Sequence, residues 1–169
     1  MSSVFEGLPA AIAKAEHILV CAHVSPDGDA IGSALALQAG LQKLGKQVRV
    51  SCADEVPQVL GFLQGAQEVQ QPEHLKGITF DLAIAVDVSD RHRLGDCAPL
   101  FFATRRTAQI DHHGTNPGYA DINVIRPDAS GVFSNGRASN LVFGFVDRVA
   151  REVAKTHPGK FISTLAYAD

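Results

Sequence analysis

The sequence has no long apolar run, no strongly basic stretch and few cysteines, and each absence excludes a class of protein. A membrane-spanning helix is not expected, because it needs a run of about 18 apolar residues. The net charge of -3 argues against binding along the backbone of a long duplex nucleic acid, although it permits a small phosphate pocket. The cysteines Cys21, Cys52 and Cys97 form no CxxC pair, so neither a zinc knuckle nor a disulfide framework is indicated.

Targeting and nucleotide-cofactor motifs are also missing. The first 17 residues lack the basic start and apolar stretch of a signal peptide and instead predict a short amphipathic helix, so a cytoplasmic protein is expected. Neither GxGxxG nor GxxxxGK[ST] occurs, which argues against a dinucleotide cofactor and a P-loop. Cys21 and Cys52 lie in strand-like runs and are expected to be buried structural thiols.

The composition is that of a globular domain, and its pattern predicts the fold class. Hydrophobic residues make up 46% and charged residues 20% of the 169 residues. Apolar runs alternate with helical patterns, which predicts an α/β fold with a mostly parallel sheet and helices on both faces. The predicted strands are Ile18–Ala22, Gln47–Ala53, Leu82–Val88, Thr107–Ile110 and Ile122–Ile125. The predicted helices are Ala30–Leu44, Val56–Leu63 and Leu141–Ala154, and Cys97–Ala103 is predicted to be a helix or a turn.

Three of the predicted strands are followed by clusters of carboxylates and imidazoles. HVSPDGD spans His23 to Asp29, VDVSD spans Val86 to Asp90, and DHHG begins at Asp111. The carboxyl ends of parallel strands meet at one edge of a sheet, which is where ligands bind in such folds. The three clusters therefore predict one shared site.

The charges in these clusters favour a metal centre. Asp27, Asp29, Asp87 and Asp111 would converge within a few ångström. Two carboxylates about 4 Å apart repel by roughly 4 kcal/mol at an effective dielectric near 20, so four need protons or cations. Oxygen ligands with imidazoles and no thiolate favour Mn²⁺ or Mg²⁺. Two such ions a few ångström apart are a common device for hydrolysing phosphate esters.

Each residue also has a structural alternative. Asp29 would act only as the N-cap of a helix starting at Ala30, and Asp87 would be a turn or cap residue. Asp90 is expected to be a turn residue. Arg93 would bind phosphate or form a structural ion pair. Surface or capping roles are expected for the other histidines, which are His17, His74, His92 and His157.

Three stretches together resemble the DHH phosphoesterase family: HVSPDGDAIGS, AVDVSDRHRLG and IDHHGTNPGYADIN. They occur in the family's order and cover roughly Ile18 to Asn123. Within the family, they are most similar to the branch that hydrolyses short oligoribonucleotides and 3′-phosphoadenosine 5′-phosphate.

The resemblance implies a centre of two Mn²⁺ ions, with Mg²⁺ or Co²⁺ as alternatives. His23 and Asp27 would hold one ion, Asp29 and His112 the other, and Asp87 would bridge them. A hydroxide bridging the two metals would attack phosphorus in line.

The resemblance also implies supporting roles around the two ions. Asp111 would contribute to catalysis by orienting its neighbours. His113 would contact the scissile phosphate or support the ligands, and Arg93 would bind substrate phosphate.

The end of the chain departs from the family pattern. We expect residues 1–169 to form a single DHH-type catalytic domain that is incomplete at its C-terminal end, with the family's C-terminal substrate-binding domain absent. Asp169 stands as a weak candidate for the Asp of the family's fourth motif. Exposed apolar residues on the helix Leu141–Ala154 would favour a homodimer.

Three functional hypotheses follow. The first is a manganese-dependent phosphoesterase acting on short oligonucleotides or nucleoside phosphates. The second is a metal-binding or nucleotide-binding module without turnover. The third is a pyrophosphatase-like hydrolase of small inorganic substrates.

Overall fold

The computed structural model describes residues 7–125, and its centre is a parallel β-sheet. The strands are β1 (His17–Cys21), β2 (Gln47–Ser51), β3 (Leu82–Val86), β4 (Thr107–Asp111) and β5 (Ile122–Ile125). They lie in the order β2-β1-β3-β4-β5, and every neighbouring pair is parallel. The strands β1, β3 and β4, which precede the three acidic clusters, are therefore adjacent at the middle of the sheet.

Helices cover both faces of the sheet, as the sequence predicts. The helices α1 (Leu8–Lys14) and α2 (Gly28–Lys43) pack on one face, and α3 (Ala98–Ala103) packs on the other. Short 3-10 segments span Gln58–Leu60, Ala66–Glu68, Pro72–Leu75 and Arg91–Cys97. The fold class is thus confirmed as α/β with a parallel sheet.

Side chains of β1 point alternately to the two faces of the sheet, so this strand contributes to two hydrophobic cores. Ile18 and Val20 point into the core beneath α1 and α2, whereas Leu19 and Cys21 point into the core beneath α3. All four side chains are fully buried, which accounts for the continuous apolar run of a central parallel strand. The predicted burial of the Cys21 and Cys52 thiols is confirmed.

Some predicted boundaries were wrong. The helix predicted over Val56–Leu63 is only a 3-10 turn at Gln58–Leu60. Leu60 and Leu63 pack against the core, but Val59 and Phe62 are 77% and 75% exposed. The strand predicted over Leu82–Val88 ends at Val86, because the next residue, Asp87, takes a left-handed conformation with φ 61°. The helix predicted from Ala30 begins two residues earlier, at Gly28.

Two other expectations concern the ends of the chain and membrane insertion. The predicted helix Leu141–Ala154 and the candidate ligand Asp169 lie outside the described residues. Within residues 7–125, no helix is both long and apolar enough to cross a membrane.

Candidate metal centre

The site forms where the loops after β1, β3 and β4 meet. His23 follows β1 by two residues, Asp87 directly follows β3, and His112 and His113 directly follow β4. The parallel register aligns Cys21 with Ala85, and Val86 with Ile110, so the three strands end at nearly the same level. The common edge that the sequence predicts is therefore present in the described structure.

Asp87 lies at the centre of this group. Its Oδ2 is 3.9 Å from His23 Nε2, while its Oδ1 is 3.2 Å from His112 Nε2 and 3.7 Å from His113 Nδ1. Two sets of donor atoms suited to a metal share this carboxylate: His23, Asp27 and Asp87 on one side, and Asp87, His112 and His113 on the other. The atoms of each set lie within 4.8 Å of one another.

The environment of Asp87 is unfavourable for an uncompensated charge. The residue is only 3% exposed, and its Oδ1 is buried without a hydrogen-bond partner among the described residues. Burial is the main cause that raises the pKa of Asp87 to about 7, and the negative charges of Asp29, Asp27 and Asp111 raise it further, while His113 opposes them. A bound cation would supply the missing partner for this oxygen and remove the repulsion.

Asp27 combines a structural role with a place in the site. Its Oδ1 accepts hydrogen bonds from the backbone N–H groups of Asp29 and Ala30, each at 3.0 Å, so it is the N-cap of α2. The same Oδ1 is 3.9 Å from His23 Nε2. The cap role that the sequence offered as an alternative for Asp29 therefore belongs to Asp27.

Asp29 lies in the first turn of α2, outside both three-residue sets of donors. Its Oδ1 accepts a long hydrogen bond of 3.5 Å from Ser33 Oγ. Its charge is the largest electrostatic contribution to the raised pKa of Asp87, which places its carboxylate within electrostatic reach of the site. The described structure thus groups His112 with Asp87 and His113, and does not group it with Asp29.

His23 is held from its Nδ1 side. This nitrogen lies 2.7 Å from the carbonyl oxygen of Val24 and 2.8 Å from Arg93 Nη2. A guanidinium only donates hydrogen bonds, so the two contacts require opposite protonation of Nδ1. Donation from Nδ1–H to Val24 is the arrangement that suits metal binding, because it leaves the Nε2 lone pair free. Arg93 reaches the site, and within residues 7–125 it forms no ion pair with a carboxylate.

Asp111 is fully buried and supports the site from below. Its Oδ1 is 2.7 Å from His113 Nδ1, and its Oδ2 accepts a 2.6 Å hydrogen bond from Asn116 Nδ2. Sequence reasoning missed Asn116, although it lies in the quoted stretch IDHHGTNPGYADIN. Asp90, which was expected to be a turn residue, caps the following 3-10 segment through a 2.7 Å hydrogen bond from His92 N.

Sequence reasoning also missed Asp54, which holds the loop after β1. Its Oδ2 accepts a 2.6 Å hydrogen bond from the backbone N–H of Ser25, whose φ of 51° is left-handed. No motif links the two residues, since they are 29 positions apart and meet only because β1 and β2 are neighbours.

Fold and site together define a parallel α/β domain with carboxylates and imidazoles at its strand ends that could hold a metal. The chain belongs to the DHH family of phosphoesterases, because the family profile described as "DHH family, N-terminal domain" matches residues 17–168.

Known proteins are similar to this chain in sequence and in fold. The chain is 37% identical over 112 residues to a Thermus thermophilus protein named bifunctional oligoribonuclease and PAP phosphatase NrnA. This match covers 65% of the chain and 32% of the relative, so the chain spans about a third of the length of that curated relative. The fold is similar to the crystal structure of an exopolyphosphatase-related protein from Bacteroides fragilis, with a TM-score of 0.77 and 25% identity. That similarity covers 88% of this chain and 44% of the other.

Proposed function

We propose that this chain carries the catalytic centre of a manganese-dependent phosphoesterase that hydrolyses short oligonucleotides or nucleoside phosphates. The main support for the proposal is the position of Asp87. It is a buried carboxylate whose two oxygens face different sets of possible metal ligands. A carboxylate placed in this way is suited to two cations at once.

The side chains around Asp87 fit a pair of hard divalent ions. His23 and Asp27 would hold one ion with Asp87 Oδ2, and His112 would hold the other with Asp87 Oδ1. Asp29, in the first turn of α2, would complete the second set after a change of side-chain rotamer. When bound, two such ions would lower the pKa of a water molecule and neutralise the phosphoryl oxygens. The donors are all oxygen and imidazole nitrogen, which favours Mn²⁺, with Mg²⁺ or Co²⁺ as alternatives.

The remaining residues would act on the substrate and on the ligands. Asp111 would hold His113 through the 2.7 Å contact with Nδ1, and His113, whose side chain is 40% exposed, would contact the scissile phosphate. Arg93 would bind substrate phosphate once His23 Nδ1 donates to Val24 and no longer accepts from the guanidinium.

The substrate class follows from the relatives rather than from the geometry. Similarity to the Thermus thermophilus protein, named as an oligoribonuclease and PAP phosphatase, supports short oligonucleotides and nucleoside phosphates. Similarity to the exopolyphosphatase-related protein of Bacteroides fragilis favours a second candidate, a hydrolase of small inorganic phosphates. A metal-binding or nucleotide-binding module without turnover is the third, and a cytoplasmic location stays a prediction.

A substrate panel with Mn²⁺ tests the proposal and separates the candidates. Hydrolysis of a ribodinucleotide, 3′-phosphoadenosine 5′-phosphate and pyrophosphate is followed by chromatography for the parent and for Asp29→Ala. We expect turnover of the first two substrates, with at least a hundredfold loss in the variant. Turnover of pyrophosphate alone would support the inorganic hydrolase, and equal rates in parent and variant would contradict catalysis at this site.

The variant Asp90→Asn is a matched control for the panel. Asp90 lies in the same loop as Asp87, but its carboxylate only caps a 3-10 segment, and Asn is an equally good cap. Its rates are expected to equal those of the parent.

A further inference from the structure

The side chain of Asn116 has polar contacts with four other residues beneath the site. Its Nδ2 lies within hydrogen-bond distance of Asp111 Oδ2 (2.6 Å), Gln109 Oε1 (2.9 Å) and the carbonyl oxygen of Val88 (3.1 Å). Its Oδ1 accepts a hydrogen bond from the backbone N–H of Gly118 at 2.9 Å. Because a backbone N–H only donates, the side-chain oxygen of Asn116 must face Gly118, and its NH₂ group must face Asp111.

The backbone of Ala120 fixes the orientation of a second side-chain amide, that of Asn123. Asn123 Nδ2 donates to the carbonyl oxygen of Ala120 at 2.7 Å, and Asn123 Oδ1 accepts from the N–H of Ala120 at 3.1 Å. Asn123 Oδ1 also accepts from Gln109 Nε2, which turns Gln109 Oε1 toward Asn116. The side-chain amides of Asn116, Gln109 and Asn123 therefore form a chain of hydrogen bonds that all run in one direction. Within this chain, Asn116 Nδ2 is the donor to Asp111.

The orientation of Asn116 determines what Asp111 can do for His113. With Oδ2 accepting from Asn116, the remaining oxygen of Asp111, Oδ1, lies 2.7 Å from His113 Nδ1. An ionised carboxylate only accepts hydrogen bonds, so this contact requires a proton on the ring nitrogen. His113 Nδ1–H then donates to Asp111, and Nε2 keeps the lone pair.

We infer that Asn116 is a positioning residue that, through Asp111, fixes His113 in the tautomer carrying its proton on Nδ1. This withholds Nδ1 from any cation, although it lies only 3.7 Å from Asp87 Oδ1. Nε2 is then the one ring nitrogen of His113 whose lone pair is left for a ligand. The tautomer itself stands on the contacts above, and only its use in phosphate ester hydrolysis rests on the proposed function.

Two-bond ¹H–¹⁵N correlation spectra of the histidine rings test this inference. They are recorded on the metal-free 169-residue protein without substrate, at a pH at which the ring is neutral, with His113 assigned through His113→Gln. In the parent, His113 is expected to show a protonated Nδ1 and an unprotonated Nε2. The opposite pattern would overturn the inference without any variant being needed, and would leave the phosphoesterase proposal untouched.

The variant Asn116→Leu removes the donor to Asp111 while keeping the same number and branching of side-chain heavy atoms. We expect the His113 resonances to shift toward a mixture of the two tautomers, since Asp111 loses its fixed orientation. Asn116→Ser serves if the leucine variant does not give a dispersed amide spectrum. Unchanged His113 resonances in a folded variant would show that Asn116 does not position this ring.

Tyr119→Phe is the matched control. The Tyr119 hydroxyl donates to the carbonyl oxygen of Val88 at 3.0 Å, the same oxygen that Asn116 contacts, but no hydrogen bond joins it to Asp111 in the described structure. If Asn116 acts only by bracing the loop at Val88, both variants would change the His113 tautomer equally. The inference requires that Tyr119→Phe keep the parent pattern.

Discussion

The side chains of Asp87 and His112 face each other across 3.2 Å at the ends of two adjacent strands, yet they form no hydrogen bond. A polar atom buried in this way normally has a partner, because an unsatisfied buried acceptor costs about 1–3 kcal/mol. The vicinity of His23 on the other side of the same carboxylate makes the arrangement suited to cations rather than to packing.

The first prediction concerns the stability of the metal-free protein. The folded-state pKa of Asp87, about 7, lies above the ordinary value of 3.8, so the carboxylate destabilises the fold once it ionises. The penalty is absent below pH 3.8, grows between pH 3.8 and 7, and is fully present above pH 7. Asp87→Asn removes the charge and tolerates the left-handed backbone. We expect it to raise the free energy of unfolding by a few kcal/mol at pH 8, and by less at pH 5.

Urea unfolding with a chelator present, at both pH values, measures this difference. Asp90→Asn is the matched control and should leave the unfolding free energy nearly unchanged at each pH. A destabilised Asp87→Asn variant at pH 8 would contradict the account of this carboxylate as a strained, uncompensated charge.

The second prediction concerns the pH dependence of Mn²⁺ binding. A proton and a cation compete for Asp87, whose pKa is about 7. Binding should therefore weaken by about tenfold between pH 8 and pH 6. Calorimetric titration at the two pH values checks it. Equal affinities would mean that no buried carboxyl group takes part in binding.

The third prediction separates the two roles of Asp27. Asp27→Asn keeps an N-cap of similar strength but removes the charge, so the unfolding free energy should change little while Mn²⁺ affinity falls at least tenfold. Asp27→Ala removes the cap as well and should cost about 1 kcal/mol of stability in addition. Denaturation and calorimetry on both variants give the comparison. Parent-like Mn²⁺ affinity in Asp27→Asn would remove this residue from the ligand set.

The fourth prediction tests how the loop after β1 is held in place. Gly95 has φ 53° and ψ -135°, and an added Cβ would collide with Val24 and touch Ala53 at 3.0 Å. Gly95→Ala should therefore cost about 2–3 kcal/mol and displace the neighbouring His23, weakening Mn²⁺ binding.

Gly32→Ala is the control for this substitution. Gly32 lies within α2, and an added Cβ would meet nothing within 4 Å. Alanine at this position should increase stability by about 0.5–1 kcal/mol. Similar losses in both variants would contradict the steric explanation for Gly95.

The sequence predicted the fold class and the common edge of the site because both depend on local signals. Continuous apolar runs such as Ile18–Ala22 identify buried parallel strands, and the residues that follow them must meet where the strands end. The left-handed backbone at Asp87 was not predictable, because no local residue pattern marks it.

The polar support beneath the site was missed for a related reason. Asn116 contacts Asp111 from five positions away, across a loop whose path no local pattern fixes. A turn asparagine before a proline is common and gave no sign of a buried partner. Likewise, the alternative in which Asp29 caps α2 was two residues too late, since Asp27 and Asp29 are chemically equivalent candidates.

Anomalous diffraction from crystals soaked in Mn²⁺ will show whether two metal ions share the carboxylate of Asp87. We expect two anomalous peaks, one beside Asp87 Oδ2 with His23 and Asp27, and one beside Asp87 Oδ1 with His112. A single peak, or two peaks that both lie away from Asp87, would contradict it.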